Sequence, residues 1–204
     1  MSISQNPQIR QDNDTALITQ INSGQTDLFP ELVRRYEQKL YNFGIRMCKD
    51  PQDAEDMVQD TFLNVFRYLK DFRFESLFKN WLYRVATRSC LKKKRKSRYA
   101  PDQELSLDDF LPRDESAIPT RLPDWAAAPL DQILNEELGS ILRQAVHELP
   151  EPYRLVLVLR DMEGFSTSET AQILNLSETN IKVRLHRARL FVRKKLTDYF
   201  DHDR

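Results

Sequence analysis

Residues 165–189 read FSTSETAQILNLSETNIKVRLHRAR and contain the capping and turn residues of two consecutive helices. Ser166 and Glu169 form a capping box, which opens a short helix. Asn175 follows that helix at a position that requires a left-handed backbone, which Asn tolerates better than most residues. Ser177 then caps a second, longer helix. A short helix, a three-residue turn and a longer helix together predict a helix-turn-helix.

The second of these helices is strongly cationic. Residues 178–196 contain seven Lys and Arg, and Glu178 is their only acidic residue. The apolar spacing of Ile181, Leu185 and Ala188 predicts a buried stripe, with the cations projecting between its members. Such a helix enters the major groove, where its first side chains reach base edges and its later cations meet phosphates. The residues expected to contact duplex DNA are Ser177, Thr179, Asn180, Lys182, Val183, Arg184 and Arg187.

Apolar periodicity in the N-terminal half predicts three further long helices. Residues 32–47, 57–69 and 77–90 each carry apolar side chains at three- or four-residue spacing, which is typical of helices with one buried face. Asp50 and Pro51 are expected to begin the second of these helices, and Ser76 is expected to cap the third. With few glycines and many charged residues throughout, the chain is predicted to be all-α.

Charge is distributed unevenly, although the whole chain has 31 basic and 31 acidic residues. Residues 71–100 hold ten cations and two acids, whereas residues 101–137 hold two cations and ten acids. Five of the ten prolines lie in 101–129, where they stop helices while the acids keep the segment solvated. The expected organisation is a disordered N-terminus over 1–13, a small helical domain over 14–98, an acidic proline-rich linker over 99–129 and a second helical domain over 130–204.

Composition excludes several classes of protein. No run approaches the ~18 apolar residues of a membrane span, and the N-terminus lacks the apolar core of a signal peptide. Cys48 and Cys90 form no CxxC motif, and because they lie in apolar helical stripes we expect buried structural thiols. The two cysteines and the three scattered histidines form no zinc-binding pattern, so we expect no metal and no other cofactor. The absence of a disulfide framework leads us to expect a reducing, cytoplasmic location.

A basic segment ends the third N-terminal helix. Residues 92–98 include six cations and no acid, and Arg84 and Arg88 precede them on the same helix. Self-repulsion disfavours such a run unless a polyanion neutralises it. Residues 72–76 combine aromatic side chains with a cation, a composition that stacks unpaired bases beside a neutralised backbone. These features predict nucleic-acid binding by the N-terminal domain.

The start of the second N-terminal helix is acidic. Carboxylates in a first turn complement the helix macrodipole, and this alone can account for Asp53. Asp60 lies beyond the first turn and is not explained in this way. We interpret Asp53, Asp56, Gln59 and Asp60 as a face that docks on a protein, and a metal site formed by the three aspartates is the alternative.

Two sets of motifs, in this order on one chain, resemble a known family. Residues 149–196, with the segments 165–174 and 181–189, closely resemble domain 4 of extracytoplasmic-function sigma factors of the sigma-70 family. The segments DAEDMVQDTF at 53–62 and FKNWLYRVA at 78–86 resemble domain 2 of the same proteins. The resemblance covers about residues 14–98 and 130–199.

This resemblance implies a promoter-specificity subunit of bacterial RNA polymerase rather than an enzyme. It implies that the acidic face docks on the clamp helices of core polymerase, and that domain 4 binds the polymerase flap and the minus-thirty-five duplex. It also implies control by an anti-sigma factor. By the same resemblance, the minus-ten contacts are expected at Phe72, Arg73, Phe74, Lys79, Asn80, Arg84, Arg88 and Lys92. Phe74 stands where the family often has Gly, and Arg88 and Lys92 stand where it often has Asn and Asp.

Other functions remain as alternatives. A conventional helix-turn-helix regulator would bind duplex DNA without polymerase but would leave the N-terminal acids and aromatics unused. A purely structural helix-turn-helix would leave the cations of the second helix unused. An enzyme acting on nucleic acid would need the aspartates as a metal cluster, but the sequence has no Gly-rich phosphate loop and no nucleophile–histidine arrangement.

Overall fold

A computed structural model describes residues 13–48, 50–97 and 136–202 of the chain. These residues form eight α-helices, and they contain no β-strand, so the predicted all-α class is confirmed. The chain divides into two compact units, Met1–Ser97 and Arg98–Arg204. The expected disordered N-terminus over 1–13 and the expected linker over 99–129 lie almost wholly outside the described residues, and the domain boundaries stay predictions.

Four helices form the N-terminal unit: α1 (Asn13–Asn22), α2 (Phe29–Cys48), α3 (Pro51–Tyr68) and α4 (Phe78–Ser97). The Asp50 carboxylate accepts hydrogen bonds from the backbone N–H groups of Gln52 and Asp53, at 2.8 and 3.2 Å. Pro51 occupies the first turn, where its missing N–H has no helical partner to lose. The predicted start of α3 is therefore confirmed.

Close packing of α2 against α3 forms the centre of the N-terminal unit. Leu32, Leu40, Phe43 and Met47 of α2 are fully buried. At Gly44 the two helices approach so closely that an added Cβ would lie 2.7 Å from Met57 Cε and about 3 Å from Ala54. The absence of a side chain at position 44 thus permits this helix crossing.

Helix α1 is attached to α2 by polar contacts. The Arg35 guanidinium donates hydrogen bonds to Asp14, at 2.9 Å, and to Glu31, at 2.6 Å. The hydrogen bond to Asp14, followed by that to Glu31, raises the pKa of Arg35 above its ordinary value. The Tyr36 hydroxyl also donates to the buried Asp14 carboxylate. Asp14 is thus a buried charge with both a cation and a hydroxyl as partners, which is the arrangement that burial of a carboxylate requires.

Three features of the N-terminal unit differ from the sequence prediction. Phe66 belongs to the apolar stripe of 57–69 but is 52% exposed. Leu77 is also exposed, because it precedes α4 instead of lying within it. The Leu77 carbonyl accepts the first hydrogen bonds of α4, from Asn80 and Trp81, so Leu77 occupies the N-cap position that was predicted for Ser76.

Four helices are described in the C-terminal unit: α5 (Glu136–Glu148), α6 (Glu151–Leu157), α7 (Thr167–Leu174) and α8 (Glu178–His202). The predicted start of α5 at residue 130 lies outside the described residues. A single π-helical turn, Val158–Met162, extends α6. Gly164, with φ of 72°, then turns the chain toward α7, a conformation that glycine adopts without steric cost.

The capping and turn residues of the helix-turn-helix are as predicted. The Ser166 N–H donates to Glu169 Oε2 at 2.8 Å, and the Glu169 N–H donates to Ser166 Oγ at 3.1 Å. Asn175 has a left-handed backbone with φ of 55°. Ser177 Oγ accepts a hydrogen bond from the Asn180 N–H at 3.2 Å, which caps α8. The inward stripe of α8, Ile181, Leu185, Ala188 and Val192, is buried.

Candidate nucleic-acid and protein interfaces

The predicted recognition residues lie in the cap and the first three turns of α8. Thr179, Lys182 and Val183 are exposed, and the 46% exposure of Val183 is unusual for an aliphatic side chain. Asn180, Arg184 and Arg187 are partly buried, and the exposed Ser177 uses its hydroxyl to cap the helix. This part of α8 therefore presents cations and one apolar side chain together, which suits contact with phosphates and with a thymine methyl group.

Arg189 and Lys195, which were expected to project between the members of the buried stripe, form ion pairs within the protein. Arg189 makes a bidentate ion pair with Asp161 of the π turn, with N···O distances of 2.9 and 2.7 Å. Lys195 lies 2.6 Å from Glu148 of α5. Both residues follow the predicted recognition residues along the chain, so these ion pairs hold the later turns of α8.

The predicted docking residues lie on the N-terminal half of α3. Gln59 and Asp60 are exposed, whereas Asp53 and Asp56 are partly buried. Gln52 Nε2 lies 3.4 Å from Asp56 Oδ1, a weak contact within the same helix. Asp56 and Asp60 are four residues apart, so they share one face of α3. We define Asp53, Asp56, Gln59 and Asp60 as the acidic face.

Two exposed apolar residues continue the acidic face, and sequence reasoning missed both. Leu63 is 48% exposed and Phe66 is 52% exposed. They follow Gln59 by four and seven residues, which places all three on one face of α3. The Phe66 ring meets the Phe29 ring edge-on at a centroid distance of 5.0 Å. A signal was present in the sequence, because Leu63 directly follows the apolar Phe62, and consecutive residues of a helix face in different directions.

The cations of α4 lie beside a buried aromatic cluster. Arg88 is exposed and Arg84, one turn earlier, is partly buried. Lys79 Nζ lies 5.8 Å from the centroid of the Tyr83 ring, within the range of a cation–π contact. The side chain of Lys92 and those of the basic residues after it lie outside the described part of the chain.

Phe72 and Asn80, two of the predicted minus-ten contacts, are buried in this structure. Phe72 is 6% exposed, and its ring packs against those of Phe78 and Trp81 at 5.7 and 5.4 Å. Asn80 is 4% exposed. The helical register of α4 turns Asn80 inward, and the loop folds Phe72 over Phe78. Arg73 between them is exposed.

Phe74 has a left-handed backbone with φ of 56°, which is a true outlier for a bulky residue. Its partly buried ring contacts the Phe72 ring at 4.9 Å. This contact offsets part of the backbone strain and keeps the loop folded against α4. The family resemblance leads us to expect glycine at this position, and glycine would adopt the same backbone without strain.

No described residues form a cluster of three or more His, Cys, Asp or Glu with the geometry to hold a metal ion. Among these residues there is also no helix long and apolar enough to cross a membrane.

Comparison with known proteins identifies both units. The family profile "Sigma-70 region 2" matches residues 32–99, and the profile "Sigma-70, region 4" matches residues 140–192. The chain is 31% identical over 183 residues to the ECF RNA polymerase sigma factor SigW of Bacillus subtilis, covering 89% of this chain and 95% of that protein. It is 30% identical over 184 residues to the ECF RNA polymerase sigma-E factor of Haemophilus influenzae, covering 90% and 95%.

Two solved structures share this fold. CnrH, solved in complex with the cytosolic domain of CnrY, matches with a TM-score of 0.63 and 25% identity, over 95% of this chain and all of that one. RpoE of Bartonella quintana, solved with the anti-sigma factor NepR, matches with a TM-score of 0.61 and 23% identity, over 83% and 96%. The chain belongs to the extracytoplasmic-function sigma factors of the sigma-70 family, which are promoter-recognising transcription initiation factors.

Proposed function

We propose that the two units divide the work of promoter recognition between three surfaces. The acidic face of α3 binds core RNA polymerase, the outer side of α4 with its preceding loop contacts the minus-ten element, and the first turns of α8 read the minus-thirty-five element. The proposal rests mainly on the difference in burial between the two sides of α8. Its Ile181 and Leu185 side is buried, while Lys182 and Val183 project into solvent.

The polymerase-binding surface is the acidic face extended by Leu63 and Phe66. Acidic side chains around exposed apolar residues form a surface that excludes water at its centre and selects a basic partner at its rim. The partner that we propose is the pair of clamp helices of core polymerase. The C-terminal unit contacts the polymerase flap in addition to DNA.

The minus-ten surface consists of the exposed or partly buried residues Arg73, Phe74, Lys79, Arg84 and Arg88. Lys92, which follows Arg88 by four residues in the sequence, is proposed to act with them. Cations on α4 neutralise phosphates of the non-template strand, while an aromatic side chain of the loop stacks on an unpaired base. Phe72 and Asn80 support this surface from the core and do not contact DNA.

The minus-thirty-five surface is formed by Thr179, Asn180, Lys182, Val183, Arg184 and Arg187, with Ser177 acting chiefly as the helix cap. Because a recognition helix reads bases with its N-terminal turns, Thr179 and Val183 are assigned to base edges and the cations to phosphates or guanine. The proposed location is the cytoplasm, where polymerase and promoter DNA are found.

Regulation by an anti-sigma factor is the proposed control. RpoE of Bartonella quintana, which has a similar fold, was solved in complex with an anti-sigma factor. For the present chain the proposal rests on the exposed Leu63 and Phe66, since an apolar polymerase-binding surface must be covered when the polymerase is absent.

Run-off transcription with purified core polymerase, followed by footprinting of the promoter used, tests the function. We expect the full chain to direct initiation from a defined start site and to protect both promoter elements only in the holoenzyme. Specific binding to duplex DNA with no effect on core polymerase would contradict the proposal and favour a conventional helix-turn-helix regulator. Magnesium-dependent cleavage or modification of DNA by the isolated chain would favour an enzyme.

A further inference from the structure

The two cysteines of the chain lie side by side outside the proposed interfaces. Cys48 is the last residue of α2, and Cys90 lies in α4, 42 residues later. Their sulfur atoms are 3.8 Å apart, and neither cysteine is in a disulfide. The sequence contains no third cysteine. We propose that Cys48 and Cys90 are a modification site, at which a hydroperoxide converts the two thiols into a reversible intramolecular disulfide.

The geometry requires little movement. A disulfide has a sulfur–sulfur distance of about 2.0 Å, so the two atoms must approach by about 1.8 Å. Cys48 ends its helix, where the last carbonyl groups have no intrahelical partner and the backbone can adjust. Cys90 lies within α4 and is 1% exposed, so it stays in place. The approach is therefore made by the helix end that carries Cys48.

Burial determines the order of the chemical steps. Cys48 is partly exposed, contrary to the expectation that both thiols are buried, and it meets the oxidant first. Its thiolate attacks the peroxide, the O–O bond breaks, and Cys48 becomes a sulfenic acid while the protonated alkoxide or hydroxide leaves as an alcohol or water. The Cys90 thiol then attacks the sulfenic sulfur, the S–O bond breaks and a water leaves. Two thiols lose two electrons, and one peroxide gains them.

The bond connects the end of α2, just before the acidic face of α3, to α4, which carries the proposed minus-ten surface. The acidic face begins a few residues after Cys48, and Arg84 and Arg88 shortly precede Cys90 on α4. All of α3 lies within the loop that the bond closes, and the bond ties the start of that loop to the DNA-contacting helix α4. Disulfides in a reducing compartment are commonly transient and redox-sensing, which is the behaviour expected of this pair.

The test uses the full chain, reduced and then treated with hydrogen peroxide. The treated protein is denatured and alkylated with a maleimide. We expect a monomer that carries no maleimide adduct and whose mass is about 2 Da below that of the reduced, unalkylated chain, because two hydrogens are lost. Peptide mapping should show Cys48 joined to Cys90, and dithiothreitol should restore both adducts. Two adducts after peroxide treatment, a sulfinic acid at Cys48 or disulfide-linked dimers would each overturn the proposal.

Two variants test the assigned order. Cys90→Ser should leave Cys48 as a sulfenic acid that reacts with dimedone, and Cys48→Ser should leave Cys90 unreactive toward peroxide in the folded protein. Equal peroxide reactivity of the two variants would contradict the order.

Thermal unfolding provides a measurement that does not depend on trapping the sulfurs. A disulfide that closes the loop from Cys48 to Cys90 and fits the folded geometry is expected to raise the midpoint temperature of unfolding of the N-terminal unit by on the order of 10 °C. Cys48→Ser should show no such rise after peroxide treatment. An unchanged or lowered midpoint of the oxidised wild type would show that the folded structure does not accommodate the bond.

Discussion

Asp161 and Arg189 form a two-point ion pair that joins the π turn before the helix-turn-helix to the recognition helix. Arg189 Nε and Nη2 donate to the two carboxylate oxygens at 2.9 and 2.7 Å. The Asp161 side chain is only 3% exposed, whereas that of Arg189 is 41% exposed. Because Arg189 lies on α8 after the proposed base-reading residues, this pair sets the rotation of α8 about its axis.

Removing the Asp161 carboxylate should destabilise the C-terminal unit. For Asp161→Ala we expect a loss of about 1–3 kcal/mol in the free energy of unfolding, because a bidentate pair between a buried carboxylate and a partly exposed guanidinium is broken. Arg189→Ala should cost a similar amount, since it leaves the buried carboxylate without its cation. Denaturant titration of the two single variants and the double variant measures the coupling, which we expect to be about 1–2 kcal/mol. Additive effects would contradict the proposed role of the pair.

Lys182→Ala should weaken binding of the holoenzyme to its promoter and reduce the salt dependence. Loss of one phosphate contact makes the plot of the log binding constant against the log salt concentration less steep, reducing the magnitude of its negative slope by about 0.9. The control is Lys195→Ala, which removes a cation of the same helix that is paired with Glu148. Binding measured at several salt concentrations should respond to Lys182→Ala and not to Lys195→Ala. Equal responses would show that only the overall charge of α8 matters.

Charge reversal on the acidic face should abolish binding to core polymerase. The double variant Asp56→Lys, Asp60→Lys places two cations where a basic partner is expected, and we predict that it no longer co-purifies with core enzyme. The control is Glu37→Lys, at an exposed acid of α2. Circular dichroism should stay helical in both variants. Unchanged binding by the folded double variant would exclude the acidic face as the docking surface.

Gly44→Ala and Gly139→Ala should have effects of opposite sign. Alanine at position 44 would clash with Met57 and Ala54, and we expect about 1–3 kcal/mol of destabilisation. At position 139 the nearest atom is the flexible end of Arg143, at 3.4 Å, so the higher helix propensity of alanine should stabilise by up to about 1 kcal/mol. Calorimetry of the full chain measures both, and a stabilising Gly44→Ala would show that α2 and α3 do not pack as described.

Phe74→Gly should be more stable than Phe74→Ala. Both variants lose the contact with Phe72, but only glycine adopts the φ of 56° without strain, which is worth about 1 kcal/mol. Both should weaken promoter opening if the Phe74 ring stacks on a base. Equal stability of the two variants would indicate that the loop relaxes to a negative φ when the ring is removed.

Local features were predictable because their causes lie within a few residues. The capping box of Ser166 and Glu169, the left-handed Asn175, and the caps Asp50 and Ser177 depend on hydrogen bonds to the nearest backbone groups. The buried stripe of α8 follows from the period of the helix. The family resemblance rested on the same short motifs, and the comparisons confirm it.

Contacts between distant residues required the tertiary structure. Apolar spacing indicates that Phe66 lies near one side of its helix, but only the packing of α3 shows that the ring is half exposed. Whether Phe72 stacks on DNA or on Phe78 depends on how the loop folds back over α4. The pairing of Asp161 with Arg189 joins residues 28 apart, and the approach of Cys48 to Cys90 joins residues 42 apart. Side-chain type and spacing are local quantities, whereas partners of this kind are determined by how the helices cross.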